Sequence, residues 1–231
     1  MPQTLPILSP SHPVTVPLIP LSPPSFAPFG TCVTPPLPPG LNEAPSSPPS
    51  ARHPAHQPSP MLANQNTALK SSPISPLIDN YPGNHPPSRP LMSMFSCFPR
   101  PTSQVSSGKL PITILERHPY TTQTFSPLAL STTDSSTCFL VVVAPSLPTA
   151  TVNAVAKPPD LANLKAFVAR GDQAVTYAPG TWHAPMIVLG KTRLDFVVTQ
   201  FANGVAGDDC QEVNVNGLDV SLDGLPIRSV L

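Results

Sequence analysis

Over residues 109–215 short apolar runs alternate with turn-forming residues, and the period of the alternation is mostly two. In KLPITILERHPY (109–120) Leu110, Ile112 and Ile114 alternate with other residues, the pattern of a half-buried strand. On such a strand Ile112, Ile114, Glu116 and His118 share one face. TCFLVVVAP (137–145) is a continuous apolar run of strand length, which places it inside a sheet covered on both faces. Further short strands are predicted near 173–178, 185–189, 194–201 and 211–215, separated by Gly, Lys, Asn and Asp. PPDLANLKAFVARGD (158–172) reads differently. Asp160 is placed as an N-cap, Leu161, Leu164, Phe167 and Val168 fall on one helical face, and Gly171 supplies the stop. The sum predicts a mainly β chain, an antiparallel barrel or sandwich with one or two peripheral helices.

The first hundred residues have another character. Of the 37 prolines, 27 fall in residues 1–101, together with only six charged residues. PPSFAPFGTCV (23–33) suggests a turn into a strand edge. Residues 35–60 are low-complexity and hold too little apolar surface to offset their ordering entropy. They are expected to form a proline-rich, partly disordered surface insertion. The expected organisation is a flexible tail over 1–17 and a single domain over 18–231 that carries this insertion. A polyproline ligand for a partner is the other reading of the same segment.

Composition narrows the classes of function. The 231 residues carry no formal net charge, so no basic field draws in nucleic acid or an anionic membrane. Cys32, Cys97, Cys138 and Cys210 form no metal-finger or CxxC spacing, which suits a reduced intracellular chain. Cys210, beside Asp208 and Asp209, is disfavoured as a reactive thiolate. The N-terminus has no basic region before an apolar run, and no window approaches the ~20 apolar residues of a membrane span. A cytoplasmic protein is expected.

Candidate chemistry centres on two segments. Glu116 and His118 lie about 6.6 Å apart along their strand, from a rise of ~3.3 Å per residue. A carboxylate that follows an apolar stripe inward has to be paired or bound to a metal. Gln123 sits five residues after His118, beyond Pro119. In YAPGTWHAP (177–185) a turn at Pro179–Gly180 aims His183. Each has a plainer reading: His183 as a satisfied loop histidine, Glu116 in a strand-end salt bridge with Arg117 solvated, Gln123 as a cap on the bend. Trp182 reads as packing at the barrel rim and Arg170 as compensation of a helix C-terminus. The spacing is similar to that of cupins, whose first motif places ligands at the positions of Glu116, His118 and Gln123. Their second motif sets a glycine three residues before a histidine, as Gly180 and His183 stand here.

One family is closer. ILERHPYTTQTFSPLALS (114–131), FLVVVAPS (139–146), LKAFVARGDQAVTYAPGTWHAPMIVL (164–189) and DDCQEV (208–213) resemble ureidoglycolate lyase, with PPSFAPFGTCV and NQNTALK (64–70) upstream in the same order. The resemblance covers most of residues 18–215. It implies a cupin-type β-barrel, usually a homodimer, that cleaves (S)-ureidoglycolate to glyoxylate and urea in purine and allantoin breakdown. It also implies Glu116, His118 and His183 as catalytic residues, and a metal set of Glu116, His118, Gln123 and His183 with nickel as the associated ion. Lys70 is the implied cation for the substrate carboxylate, although Asn66 stands where the family pattern has glycine. Tyr177 and Thr181 are expected to donate hydrogen bonds from the same mouth. The elimination needs a base for the hydroxyl proton and an acid for the departing ureido nitrogen. A cupin dioxygenase is a rival, because two histidines and one carboxylate also suit iron(II). A non-catalytic scaffold with a partner-binding proline segment is another.

Overall fold

The computed structural model describes residues 5–134, 136–223 and 225. The strands run in chain order as β1 (Ile7–Leu8), β2 (Val14–Pro20), β3 (Gly30–Val33), β4 (Met61–Ala63), β5 (Ala68–Lys70) and β6 (Arg89–Cys97). Next come β7 (Lys109–Pro111), β8 (Ile114–Arg117), β9 (Gln123–Leu128), β10 (Thr137–Ala144), β11 (Thr151–Val152), β12 (Val155–Ala156) and β13 (Lys165–Ala169). The last are β14 (Ala174–Tyr177), β15 (Trp182–His183), β16 (Ile187–Gly190), β17 (Leu194–Ala202), β18 (Gln211–Val215) and β19 (Leu218–Ser221). Two one-turn helices, α1 (Pro23–Phe26) and α2 (Ala206–Asp209), lie outside the sheets.

The strands form two main sheets. One is ordered β1-β18-β8-β15-β10-β13-β2-β19-β7, with β16 beside β15 on β10; the other is β3-β14-β9-β17-β6. The large sheet curls around its own apolar cluster, which holds Leu110, Leu115, Leu140, Trp182 and Val220. The second cluster, with Phe26, Phe125, Phe139, Phe167, Tyr177 and Phe196, fills the space between the sheets. β10 serves both. Cys138, Leu140, Val142 and Ala144 enter the first cluster, while Phe139, Val141 and Val143 enter the second. All eight of its residues are buried, as its unbroken apolar run requires.

Three expectations are corrected. The helix over 158–172 is absent: Leu161–Asn163 form one 3-10 turn, and Lys165–Ala169 form β13 between β10 and β2. Asp160 does cap this turn, accepting from the Ala162 N–H at 3.2 Å. The reason is burial on two faces. Ala166 packs in the first cluster and Phe167 and Ala169 in the second, so a short apolar run that also fits a helical stripe is taken by the sheet. Residues 7–17, expected in a flexible tail, supply β1 and the start of β2. Val14–Pro20 pairs in parallel with both β13 and β19, and the alternation of VTVPLIP buries Val16. Residues 1–4 of that tail lie outside the described residues.

The third correction concerns the stripe leading to the site. The strand is interrupted at Ile112–Thr113, so Ile112 joins Leu115 in the first cluster. The two-residue break shifts the alternation, and Glu116 faces away from Leu115. The proline-rich segment 34–60 contains no strand or helix. It closes on itself, the Arg52 N–H donating to the Pro36 carbonyl at 2.8 Å.

Candidate active site

Two tight turns bring the site together. β8 ends at Arg117 and Pro119 follows His118, where the missing N–H and fixed φ stop the ladder. At the second turn Gly180 has φ +78°, a left-handed value that glycine meets at no steric cost. The Gly180 N–H donates to the His118 carbonyl at 2.8 Å, and Ser146 Oγ donates to the Gly180 carbonyl at 2.8 Å. β15 then pairs with β8 so that His183 stands directly opposite Glu116. Gln123, the first residue of β9, lies between Tyr177 on β14 and Gln200 on β17.

The hydrogen bonds fix what each side chain offers. A carbonyl oxygen only accepts, so Nδ1 of His118, 2.6 Å from the Asp209 carbonyl, carries a hydrogen. The same holds for Nδ1 of His183, 3.0 Å from the Thr181 carbonyl. In their neutral forms both rings therefore present a lone pair at Nε2. Gln123 donates its Nε2 hydrogen to Gln200 Oε1 at 2.7 Å, which leaves its own Oε1 as a spare acceptor. Among the described residues four buried side-chain polar atoms have no hydrogen-bond partner, and three of them are His118 Nε2, His183 Nε2 and Gln123 Oε1. Each such atom costs about 1–3 kcal/mol without a ligand. His118 and His183 lie together beside Glu116, and unpartnered buried atoms of this kind call for an explanation such as a ligand.

Glu116 completes the group. Its Oε1 lies 3.4 Å from His183 Nε2, and one ligand atom each from Glu116, His118 and His183 falls within 4.8 Å of the others. The histidine rings are 5.5 Å apart, and Tyr177 stacks on His183 at 3.9 Å with planes 10° apart. Burial disfavours the Glu116 carboxylate, but the adjacent His183, then the charge of His118, outweigh it and hold its carboxyl below the ordinary value. Burial, reinforced by the nearby His183, lowers His118, so it is neutral at physiological pH. An ionised carboxylate, the neutral His118 and the His183 ring thus meet at one point. That donor set fits a divalent cation.

Other expected residues lie around or apart from this point. Tyr177 is buried against His183, while the Thr181 hydroxyl donates to the Phe29 carbonyl at 3.0 Å. Lys70 is exposed at the end of the β4–β5 hairpin, which forms a separate two-stranded sheet. The turn before it does adopt left-handed backbone at Asn64, Gln65 and Asn66. Arg117 is not solvated. It is 7% exposed, its Nε and Nη2 donate to Gln211 Oε1, its Nη1 and Nη2 donate to the carbonyls of Lys157 and Ala156, and it lies 4.5 Å from the centre of the Trp182 ring. Trp182 is fully buried in the first cluster. Burial followed by Glu116 pushes the Cys210 thiol up to about 12, as an inert cysteine requires. The four cysteines are all free. Sequence reasoning missed Gln200 and the carbonyls of Asp209 and Thr181, because main-chain acceptors leave no signature in residue type. Two hollows of about 430 and 680 Å³ lie elsewhere, under Arg100 and Ile112 and between the N-terminal segment and Pro158–Ala162. The site is thus marked by its chemistry, not by its volume.

The family model of ureidoglycolate lyase matches residues 13–221. A protein of Schizosaccharomyces pombe named ureidoglycolate lyase is 39% identical over 153 residues, 64% of this chain and 74% of that protein. One of the same name from Saccharomyces cerevisiae is 41% identical over 146 residues, 59% of this chain and 67% of that protein. A Burkholderia mallei ureidoglycolate lyase is 37% identical over 134 residues, 58% of this chain and 62% of that protein. The match encloses both site segments and the strands between them, and the chain belongs to the ureidoglycolate lyase family.

Proposed function

We propose that this chain is a ureidoglycolate lyase that converts (S)-ureidoglycolate to glyoxylate and urea at the centre formed by Glu116, His118, Gln123 and His183. One observation carries the assignment of the site: Glu116, His118 and His183 come together, with buried Nε2 atoms lacking partners on both histidines, in a chain that belongs to this family. The substrate carbon bears a hydroxyl, a ureido nitrogen, a hydrogen and a carboxylate. Glu116 takes the hydroxyl proton, the O–H electron pair becomes the second C–O bond of glyoxylate, and the C–N pair leaves on the ureido nitrogen. That nitrogen then receives the proton from Glu116, so the step neither consumes nor releases one. Each assisted transfer contributes on the order of 10²–10⁴-fold. His118 and His183, where their Nε2 atoms carry lone pairs, accept from the N–H groups of the ureido end and so orient the substrate.

The same atoms suit a metal: two Nε2 atoms, one amide oxygen and one carboxylate make a nitrogen-and-oxygen set of the kind nickel accepts. When bound there, a divalent ion supplies Lewis-acid polarisation of the hydroxyl. In this reading Lys70 serves the substrate carboxylate, Tyr177 and Thr181 shape the wall behind His183, and the cupin-type chain works in the cytoplasm as a homodimer. Among the described residues no helix is long and apolar enough to cross a membrane. The test is incubation with (S)-ureidoglycolate before and after chelation. Glyoxylate and urea in equal amounts support the reading; glyoxylate with ammonia and carbon dioxide mark an amidohydrolase and overturn it. The carboxylate with two histidines also favours a dioxygenase, which would consume oxygen with iron(II), whereas the lyase consumes none.

A further inference from the structure

The motif DDCQEV holds more than a strand. The carbonyl of Asp209 takes the Nδ1 hydrogen of His118 at 2.6 Å. That carbonyl sits at the end of α2, a four-residue helix far too short to hold itself. What holds it is the carboxylate of the same residue. Oδ1 accepts the Tyr81 hydroxyl at 2.5 Å and the Asn203 N–H at 2.8 Å, and Oδ2 accepts the Gly204 N–H at 2.9 Å. Tyr81 is anchored in turn beside the histidine: its ring centre lies 5.4 Å from that of Tyr120, and the Asn80 N–H donates to the Tyr120 carbonyl at 2.9 Å. Asp208 ties the same loop to His85 at 2.8 Å and to Asn203 at 3.0 Å.

We propose that Asp209 is a positioning residue for the lyase reaction: its side chain, clamped by Tyr81 and two main-chain N–H groups, fixes the carbonyl that keeps the His118 proton on Nδ1 and its lone pair on Nε2. Which ring nitrogen carries the proton is set by the bond the other makes. Released from the carbonyl, His118 is free to place its hydrogen on Nε2 and close the acceptor. The inference rests on the reading of His118 as a group that faces the substrate.

The test pairs nitrogen-edited imidazole NMR with steady-state kinetics. Wild type is expected to show His118 as a single Nδ1–H tautomer. Asp209→Ala should mix in the Nε2–H form and lower kcat by about 10–100-fold, with KM held within about twofold. Asp209→Asn keeps an acceptor for Tyr81 and should recover most of both signals. Tyr81→Phe, which leaves the loop backbone untouched, should move them in the same direction by less, and it decides the matter if Asp209→Ala does not fold. An unchanged His118 tautomer with unchanged kcat in folded Asp209→Ala or Tyr81→Phe overturns the proposal. A tautomer change in a chain whose wild type releases no urea upholds the positioning and overturns the lyase reading instead.

Discussion

Proline does opposite things in two parts of this molecule. Between residues 34 and 60 it blocks every ladder: no strand forms, and the segment is held by local bonds such as Gln57 Nε2 to the Thr34 carbonyl at 3.0 Å. Around the site, Pro119, Pro179 and Pro185 stand at the ends of strands that have already paired. There the missing N–H ends a ladder at a chosen residue, so His118 and His183 lie just where β8 and β15 stop. Proline content alone therefore decides little. What matters is whether an apolar strand such as β10, buried along its whole length, anchors the chain before the proline interrupts it.

The contrast can be broken first at the site. Glu116→Gln keeps shape but removes the base, and turnover is expected to fall on the order of 10²–10⁴-fold, read by steady-state kinetics, with the melting curve retained. Next comes the support behind the site. Trp182 is fully buried, donates Nε1–H to the Lys157 carbonyl at 3.0 Å and lies under Arg117. Trp182→Ala should cost about 3–5 kcal/mol in denaturant unfolding.

Acid should have a smaller, graded effect. Burial first, and His183 second, lower His118 below its ordinary value of 6.5. As pH drops below 6.5 the unfolded chain binds a proton that native His118 refuses. Stability of the metal-free protein should then fall, by up to about 1.4 kcal/mol per pH unit, until native His118 itself protonates. Glu116, also lowered, adds a loss in the same direction below 4.5. Chemical unfolding at several pH values reads both. The least effect is expected in the proline-rich part. Pro36 and Arg52 already meet across one hydrogen bond, so replacing residues 38–50 by two glycines should shift stability by less than about 1 kcal/mol and leave turnover intact. The scaffold reading predicts instead that partner binding is lost and that no urea is released before or after the replacement.

Much of this was legible in the sequence, for physical reasons. Residues whose burial is uniform announce themselves, and TCFLVVVAP could hardly be anything but a covered strand. Glu116, His118 and His183 were legible because chemistry-bearing side chains at turn boundaries are few in a chain this poor in charge. LANLKAFVA was not, since a run apolar on both faces fits a helix and a strand equally until its neighbours are known. Nor was the interruption at Ile112–Thr113, which moves Ile112 onto the side of Leu115. Arg117 misled because its charge suggested solvent, whereas the Ala156 and Lys157 carbonyls and the Trp182 face supply a buried seat. The partners of the two histidines are main-chain carbonyls, which any residue carries.

The most direct measurement is the release of urea and glyoxylate from (S)-ureidoglycolate by His183→Ala beside wild type, with circular dichroism run on both. The account predicts a folded variant that releases neither product. A folded His183→Ala protein that turns over at the wild-type rate would contradict it.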